Sequence, residues 1–271
     1  MAAQDRPIDV EVDGDEKSPA GTSRTHDLWS RNVNLRWTTI PIILCCSCSG
    51  LIDSCIFNVW GVFATMQTGN TVILALGASN QPTGHPHAWL QALMAILFFF
   101  FGSLLTGQIS KILPPLRHTT LALSFLLQTV LIVTAAALVE SGVAPNITNG
   151  KEYFIQLVPL PMLSFQAGMQ SVTARQLGLN EIPTTVLTSV YCDLGNDSKL
   201  FAGFRDNWKR NRRAGAAASL IVGAIIGGWL SRTSDGMPAA LWSAAGIKFC
   251  ISVAWLLWSS ETSAGSKHHS P

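Results

Sequence analysis

The chain has 271 residues, of which 48% are hydrophobic and 13% charged, whereas soluble domains usually carry about 25% charged residues. Its net charge of +2 is too small to indicate nucleic-acid binding. Uncharged stretches of about 20 residues, enough to cross a hydrocarbon core of roughly 30 Å as a helix, separate the charged segments. The composition therefore excludes an ordinary soluble domain and predicts an all-α integral membrane protein.

The chain divides into a long apolar region between two polar ends. Residues 1–34 are polar and mixed in charge and predict a disordered cytoplasmic tail, and residues 261–271 predict a short cytoplasmic tail. The region between them, 35–260, predicts a transmembrane domain with halves at about 38–140 and 153–258. About six spans are predicted, at 38–60, 90–110, 119–139, 153–173, 214–230 and 239–258.

Two further apolar pieces, 71–78 and 184–191, are too short to span a bilayer alone. Each can form a half-helix, a re-entrant segment or an extension of the neighbouring helix. The sequence leaves these alternatives open.

Lysine and arginine are unevenly distributed between the two sides of the predicted spans. With the N-terminus in the cytoplasm, fifteen of them fall inside and only Lys151 and Arg232 fall outside. The positive-inside rule then predicts a multi-pass protein of the plasma membrane or an endomembrane, with both termini cytoplasmic. The sequon at Asn146 lies outside in this topology, although the shortness of its loop argues against glycosylation. The basic stretch 204–213 is interpreted as a topology determinant rather than an anionic-lipid site.

Four of the six cysteines, Cys45, Cys46, Cys48 and Cys55, cluster in the first span. The CCxC spacing has the form of a metal-ligand motif. No histidine or second cysteine pair accompanies it, and in an apolar helix cysteine behaves as a small hydrophobe. We therefore expect no metal site, no cofactor and no disulfide framework.

The stretch 50–76 is polar where its surroundings are apolar. It carries Asp53 and Asn58 within the first span and a polar break at 67–71 after it. Polar groups are costly in hydrocarbon, so their presence indicates either a packed interior or a binding site.

Span four has a similar interruption. It contains Pro159 and Pro161, which are expected to free backbone carbonyls, and a Thr-rich segment, 184–189, follows it. The residues after Gly50 and after Gly168 are loosely alike, and two plain apolar helices follow each break. With three crossings per half, the second half is inverted relative to the first, as in transporters built from two inverted three-helix repeats.

In such transporters the site lies where the broken helices meet. Hydroxyls and unpaired N–H groups at the start of a half-helix bind an anion or a polar solute. The alternative is that Gly, Thr and Asn only permit close packing and satisfy a kink. The predicted substrate zone contains Thr68, Gly69, Asn70, Thr184, Thr185 and Thr188, with Gln166 and Gln170 lining the path.

Two ionisable residues lie within predicted spans: Asp53 in span one and Lys248 in span six. Pairing reduces the burial cost of each charge. We therefore predict an Asp53–Lys248 ion pair or proton-coupling element.

Span five places a small residue at every fourth position, and these line one helix face. Such a face allows another helix to approach closely. The partner helix lies either within the chain or in a second copy of it, which makes a homo-oligomer a candidate assembly. The four residues are Gly215, Ser219, Gly223 and Gly227.

The first break resembles the signature of the YoaK-like family of polytopic membrane proteins (DUF1275, a domain of unknown function). In that family the first half typically reads G-x-x-D, then a Phe, then M-T-G-N. The matching positions here are Gly50, Asp53, Phe63 and residues 66–70, with Gln67 as a departure within the last motif.

The second half of that family has G-x-Q-(N/S), an Arg and T-T-x-x-T-G. The matching positions here are Gly168, Gln170, Ser171, Arg175 and residues 184–189, with Ser189 in place of the final Gly. The resemblance covers about 35–260 and implies a membrane-embedded fold, but it implies no established activity.

The leading hypothesis is a small-solute transporter or permease whose partners are the lipid bilayer and a small polar or anionic solute. The alternative is a non-transporting scaffold that assembles through the small-residue face of span five. Enzymatic activity is not expected, because the chain lacks HExxH, GxSxG and P-loop motifs and paired intramembrane carboxylates.

Overall fold

The computed structural model describes residues 32–81, 87–144, 157–233 and 235–258. These ranges are helical and contain no β-strand, apart from an isolated bridge between Asn32 and Arg117. The all-α prediction is thereby confirmed. Most of the predicted N-terminal tail, the whole C-terminal tail and the sequon at Asn146 lie outside the described residues.

Eight α-helices occur in the described ranges, with 3₁₀ turns at Leu35–Trp37 and Gly77–Ser79. In chain order the helices are α1 (Thr39–Trp60), α2 (Gln67–Leu76), α3 (Ala88–Ile112), α4 (His118–Glu140), α5 (Pro159–Gln176), α6 (Thr188–Gly195), α7 (Trp208–Leu230) and α8 (Gly236–Leu257).

Five of these helices, α1, α3, α4, α7 and α8, are long and apolar enough to cross a membrane. They correspond to five of the six predicted spans. The remaining predicted span forms α5, which has 18 residues and begins at Pro159, rather than at residue 153. It contains a larger share of polar residues than the five apolar helices and is therefore not among them. Most of these polar residues are buried.

Pro159 and Pro161 lie in the first turn of α5. The N–H groups of a first turn have no intrahelical partner, so proline is tolerated there. The prediction that these prolines free carbonyls inside a span is therefore wrong, because they begin the helix instead of interrupting it.

The two short apolar pieces form separate helices, α2 of ten residues and α6 of eight. At about 1.5 Å per residue, both are too short to cross a bilayer. A glycine in the left-handed conformation precedes each of them: Gly61 (φ 71°) caps α1, and Gly178 (φ 73°) follows α5. These glycines end the preceding helices, so α2 and α6 are separate short helices (half-helices) and not extensions of α1 and α5.

Helices of the first half pack mainly on helices of the second half. The helix pairs α1–α7, α3–α5 and α4–α8 make the most extensive contacts. The half-helices lie on the next long helix, α2 on α3 and α6 on α7. The two halves therefore interdigitate and do not form separate bundles.

The small-residue face of α7 lies on α1, within the same chain. The Ser219 hydroxyl donates to the carbonyl oxygen of Ile43 at 2.8 Å, and the Ser47 hydroxyl donates to the Ser219 carbonyl oxygen at 2.9 Å. A Cβ at Gly223 would lie 2.1 Å from the Ser47 carbonyl oxygen. Gly215 and Gly227 also face α1. The face therefore serves an internal contact.

The α3–α5 contact repeats the geometry of the α1–α7 contact. A Cβ at Gly168 would lie 2.2 Å from the carbonyl oxygen of Phe99, and one at Gly102 would lie 2.1 Å from that of Phe165. In the α1–α7 contact, Gly50 meets the Leu220 carbonyl oxygen at 2.1 Å in the same way. Reciprocal glycines thus bring both helix pairs into backbone contact.

Arginines of the basic stretch hold the segment before α7 in place. Arg210 donates to the carbonyl oxygens of Leu200 and Ala202, each at 2.6 Å. Arg212 lies 3.2 Å from the Glu181 carboxylate. These arginines therefore make hydrogen bonds and an ion pair within the protein, in addition to their predicted role in setting the membrane topology.

Candidate functional site

The first break lies at 61–66 and not at the predicted 67–71, because residues 67–71 form the start of α2. The amide of Asn70 holds this break. The Phe63 N–H donates to Asn70 Oδ1 at 2.9 Å, and Asn70 Nδ2 donates to the Phe63 carbonyl oxygen at 2.7 Å. Asn70 Nδ2 also donates to Gln67 Oε1 at 2.9 Å. Because Asn70 is fully buried and its amide is engaged on both sides, it is a clamp for the loop.

Asp53 holds the same break from α1. Its Oδ1 accepts the N–H groups of Ala64 and Thr65 at 2.9 and 2.8 Å, and its Oδ2 accepts the Thr65 hydroxyl at 2.6 Å. A carboxylate that accepts several N–H and O–H bonds is stabilised without a cationic partner. The Asp, Phe and Asn of the recognised signature therefore shape one loop.

The second break, 177–187, is connected to α5 through hydroxyl groups. Ser171 Oγ lies 3.3 Å from Thr185 Oγ1, and the Val186 N–H donates to the Pro183 carbonyl oxygen at 2.8 Å. Thr184 is buried, and its hydroxyl has no hydrogen-bond partner within the described part of the chain.

The two breaks border one cavity of about 550 Å³. Ligand pockets are typically about 300–1,000 Å³. The lining comes from α1, both breaks, both half-helices and α7, and it consists of Ser49, Gly50, Asp53, Ser54, Phe57, Phe63, Met66, Thr68, Gly69, Val72, Thr185, Val186, Leu187, Thr188, Tyr191, Leu220 and Ala224.

The structure brings four of the eight predicted substrate-binding residues to this cavity. Thr68, Gly69, Thr185 and Thr188 line it, together with Asp53. The other four predicted residues, Asn70, Thr184, Gln166 and Gln170, are not among the lining residues.

The cavity combines apolar and aromatic walls with a few polar groups. The rings of Phe57 and Phe63 stack at a centroid distance of 4.7 Å, and Tyr191 and the threonine hydroxyls add hydrogen-bonding groups. Asp53 is the only charged residue in the lining. Phe57, Val72 and Tyr191 are exposed, so the cavity reaches the surface of the protein.

Lys248 does not form the predicted direct ion pair with Asp53. Lys248 is fully buried in α8, and its ammonium donates to Gln128 Oε1 on α4 at 2.6 Å and to Gln170 Oε1 on α5. The oxygens of Asp53 accept from the first break. Each residue therefore makes its hydrogen bonds with its own neighbours, and the two ionisable groups do not pair with each other.

The two glutamines predicted to line the path have different surroundings. Gln170 Nε2 donates to Ser49 Oγ at 3.0 Å, and Ser49 lines the cavity. The side chain of Ser49 therefore lies between Gln170 and the cavity. Gln166 Nε2 donates to the Leu163 carbonyl oxygen at 3.0 Å within α5.

Sequence reasoning missed Ser49, Gln128 and the aromatic wall. Gln128 is a buried amide within an apolar span, which is the same signal that singled out Gln170. Ser49 and Phe57 carry no comparable signal, because serine and phenylalanine are common in membrane helices.

A second cavity of about 310 Å³ lies beside α3, α4 and the end of α5. Its lining includes Arg117, Thr119, Thr120 and Thr173. It contains none of the predicted substrate-zone residues.

The apolar helices, the two half-helices and the cavity between them define a multi-pass α-helical membrane protein. The family model described as "Protein of unknown function (DUF1275)" matches residues 42–254. The chain belongs to this family, which confirms the resemblance seen in its two signatures. No curated protein and no solved structure matches the chain.

Proposed function

We propose that the protein transports a small polar solute and that the cavity between the two breaks is the substrate site. The observation that carries this proposal is that the two breaks, more than 100 residues apart in sequence, border one cavity. If the breaks served only packing, the space between them would be filled by side chains and no cavity would be expected there. Transport also agrees with the mixture of hydroxyls and apolar walls that small-molecule sites use.

The proposal includes two inverted three-helix repeats, α1–α4 and α5–α8, each with one half-helix. The contacts α1–α7 and α3–α5 correspond under an exchange of the halves, and so do α1–α8 and α4–α5. The reciprocal glycine contacts correspond too, because Gly50 and Gly223 have counterparts in Gly168 and Gly102. This correspondence is what a two-fold relation between halves produces.

The inverted arrangement requires α5 to be a sixth crossing. Its 18 residues span about 27 Å, close to the roughly 30 Å of a hydrocarbon core. A helix enclosed by other helices needs no apolar face toward lipid, and most of α5 is buried. This accounts for its lower hydropathy.

The lining favours an uncharged or cationic solute over an anion. Asp53 supplies negative charge, and no lysine or arginine lines the cavity. An anion there would face a carboxylate without a compensating cation.

The alternative function, a scaffold, was predicted to assemble through the small-residue face of α7, but this face is occupied within the chain. The face at Gly215, Ser219, Gly223 and Gly227 packs on α1 of the same chain.

Blocking the cavity with a large side chain on either half-helix is expected to lower uptake strongly while leaving the fold intact. Thr68→Trp and Thr188→Trp place large rings at exposed positions that line the cavity. Uptake of labelled amino acids, nucleobases, monosaccharides and amines into proteoliposomes is expected to fall by about tenfold or more, equivalent to at least about 1.4 kcal/mol in the barrier to transport.

The matched control is Thr71→Trp, because Thr71 is exposed on α2 and does not line the cavity. It is expected to keep parental uptake. Equal uptake by all four proteins would exclude the cavity as the substrate site, and the absence of uptake by the parent protein would contradict transport.

The proposed topology makes Cys192 reachable only from the cytoplasm. Cys192 and Cys250 are exposed, whereas Cys45, Cys46, Cys48 and Cys55 are buried. A membrane-impermeant maleimide is expected to label Cys192 only after permeabilisation, and not Cys250, which faces lipid in mid-span, where a thiolate is disfavoured.

Arg232→Cys in a Cys192→Ser background supplies the control from the other side, because Arg232 is exposed after α7. It is expected to be labelled in intact cells. Labelling of Cys192 in intact cells would reverse the proposed orientation.

A further inference from the structure

The second cavity, of about 310 Å³, shares no lining residue with the proposed substrate cavity. Its walls are the last two turns of α3, the first three turns of α4 and the last two turns of α5. Along α4 the lining runs from Arg117 to Leu127, which is about 15 Å at about 1.5 Å per residue. The cavity is therefore a groove that leads from the ends of these helices to about the middle of a hydrocarbon core of roughly 30 Å.

The mouth of the groove, at the helix ends, carries an unpaired positive charge. Arg117 is the only charged residue in the lining, and its side chain makes no hydrogen bond or ion pair within the described part of the chain. The side chains of Thr119, Thr120 and Gln176 also line the groove and form no hydrogen bond with another described residue. No acidic residue lies in the first turn of α4. The mouth therefore offers one cation and several donors to an anionic group.

The deeper part of the groove is apolar and open at the side. Leu123 and Leu127 line it and are 62% and 43% exposed, so the groove opens toward the region that lipid occupies. The hydroxyls of Thr106 and Thr173 donate to carbonyl oxygens of their own helices at 2.8 and 2.9 Å, so their protons are already used. An inorganic anion gains nothing from such a wall, whereas an acyl chain packs against it.

The backbone at the mouth is held on both sides of Arg117. The Val33 N–H donates to the Leu116 carbonyl oxygen at 2.9 Å, and His118 Nδ1 lies 3.0 Å from the Trp255 carbonyl oxygen. The loop between α3 and α4 is thereby fixed to the segment before α1 and to α8. The backbone that carries the guanidinium is therefore in place before a ligand binds, and binding requires little ordering of the loop.

We propose that this groove binds an anionic phospholipid, with the phosphate at Arg117 and one acyl chain along Leu123 and Leu127. A guanidinium suits this role, because it donates two parallel N–H bonds to a phosphate group. In the proposed topology this end of the helices faces the cytoplasm, and the cytoplasmic leaflet carries the anionic lipids of a membrane. The site is separate from the substrate cavity, so its occupation does not depend on transport.

Native mass spectrometry of the full chain in detergent micelles measures which lipids stay bound. In micelles with equal amounts of phosphatidylserine and phosphatidylcholine, the parent protein is expected to retain phosphatidylserine preferentially. Its unfolding temperature is expected to rise with phosphatidylserine and not with phosphatidylcholine or inorganic phosphate. Arg117→Gln is expected to weaken phosphatidylserine binding by about fivefold, the effect of one cation at a membrane surface. This variant is expected to fold, because the side chain that it changes bonds to no other described residue.

Two further variants separate the groove from general attraction to basic residues. Lys111→Gln removes one charge at the same end of α3, at an exposed position outside the lining, and is expected to bind phosphatidylserine as the parent does. Thr120→Trp keeps Arg117 but fills the groove, so it is expected to lose the lipid.

Three results would overturn the proposal. Equal losses in Lys111→Gln and Arg117→Gln would show diffuse attraction of anionic lipid to the surface. Stabilisation of the parent by inorganic phosphate as strong as that by phosphatidylserine would show a simple anion site. Equal retention of phosphatidylserine and phosphatidylcholine by the parent, or undiminished binding by Thr120→Trp, would show that the groove does not hold the lipid.

Discussion

The Gly223→Ala substitution is expected to lower the stability of the folded protein by about 2–4 kcal/mol, because it overpacks a backbone contact. The added Cβ would lie 2.1 Å from the Ser47 carbonyl oxygen and 2.8 Å from the Ser47 carbonyl carbon. A backbone oxygen cannot rotate away as a side chain can, so α1 and α7 must separate. Thermal unfolding in detergent, followed by size-exclusion chromatography, measures the loss.

Gly228→Ala provides the control on the same helix. A Cβ at Gly228 meets nothing within 4 Å, and replacing a glycine inside a helix removes a propensity penalty of about 0.5–1 kcal/mol. This variant is expected to be as stable as the parent or slightly more stable. Similar losses for both variants would show that the α1–α7 contact is not the cause.

The corresponding contact in the other half gives an independent check. Gly102→Ala would bring a Cβ to 2.1 Å from the Phe165 carbonyl oxygen, so it is expected to destabilise as Gly223→Ala does. Comparable losses at the two positions would support the two-fold relation between the halves. A loss at only one of them would contradict it.

The spans were predictable from the sequence because apolar length is a strong signal. The third predicted span, 119–139, agrees with His118–Glu140 to within one residue at each end. The start of α7 was less predictable, since Trp208–Leu230 begins six residues before the predicted 214. Its first turn is basic, and hydropathy detects only the apolar part of a helix.

The site was predictable as two breaks but not residue by residue. Thr68 and Asn70 lie two positions apart on α2, yet Thr68 lines the cavity and Asn70 is buried in the clamp. Which side of a short helix faces a cavity depends on its docking against α3, and that is a tertiary property.

The partner of Lys248 was equally beyond local sequence reasoning. Asp53 was the obvious candidate, because the two are ionisable residues within predicted spans. The structure instead places Gln128 and Gln170 beside Lys248, which depends on how α4, α5 and α8 meet. Charge alone identified a residue that needs partners, whereas packing decided which partners it has.

The Asn70→Asp substitution is expected to destabilise the first break by about 2–4 kcal/mol, although it barely changes the shape of the side chain. Aspartate keeps the acceptor for the Phe63 N–H but loses both donated bonds, and its second oxygen would face the Phe63 carbonyl and Gln67 Oε1. Faster proteolysis at 61–66 and a lower unfolding temperature in detergent would register the opening of the loop. Asn180→Asp makes the same chemical change at an exposed position outside the helices and is expected to shift stability by less than about 0.5 kcal/mol. Parental stability of Asn70→Asp would show that the amide does not hold the break, and the proposed division between clamp and cavity residues would then fail.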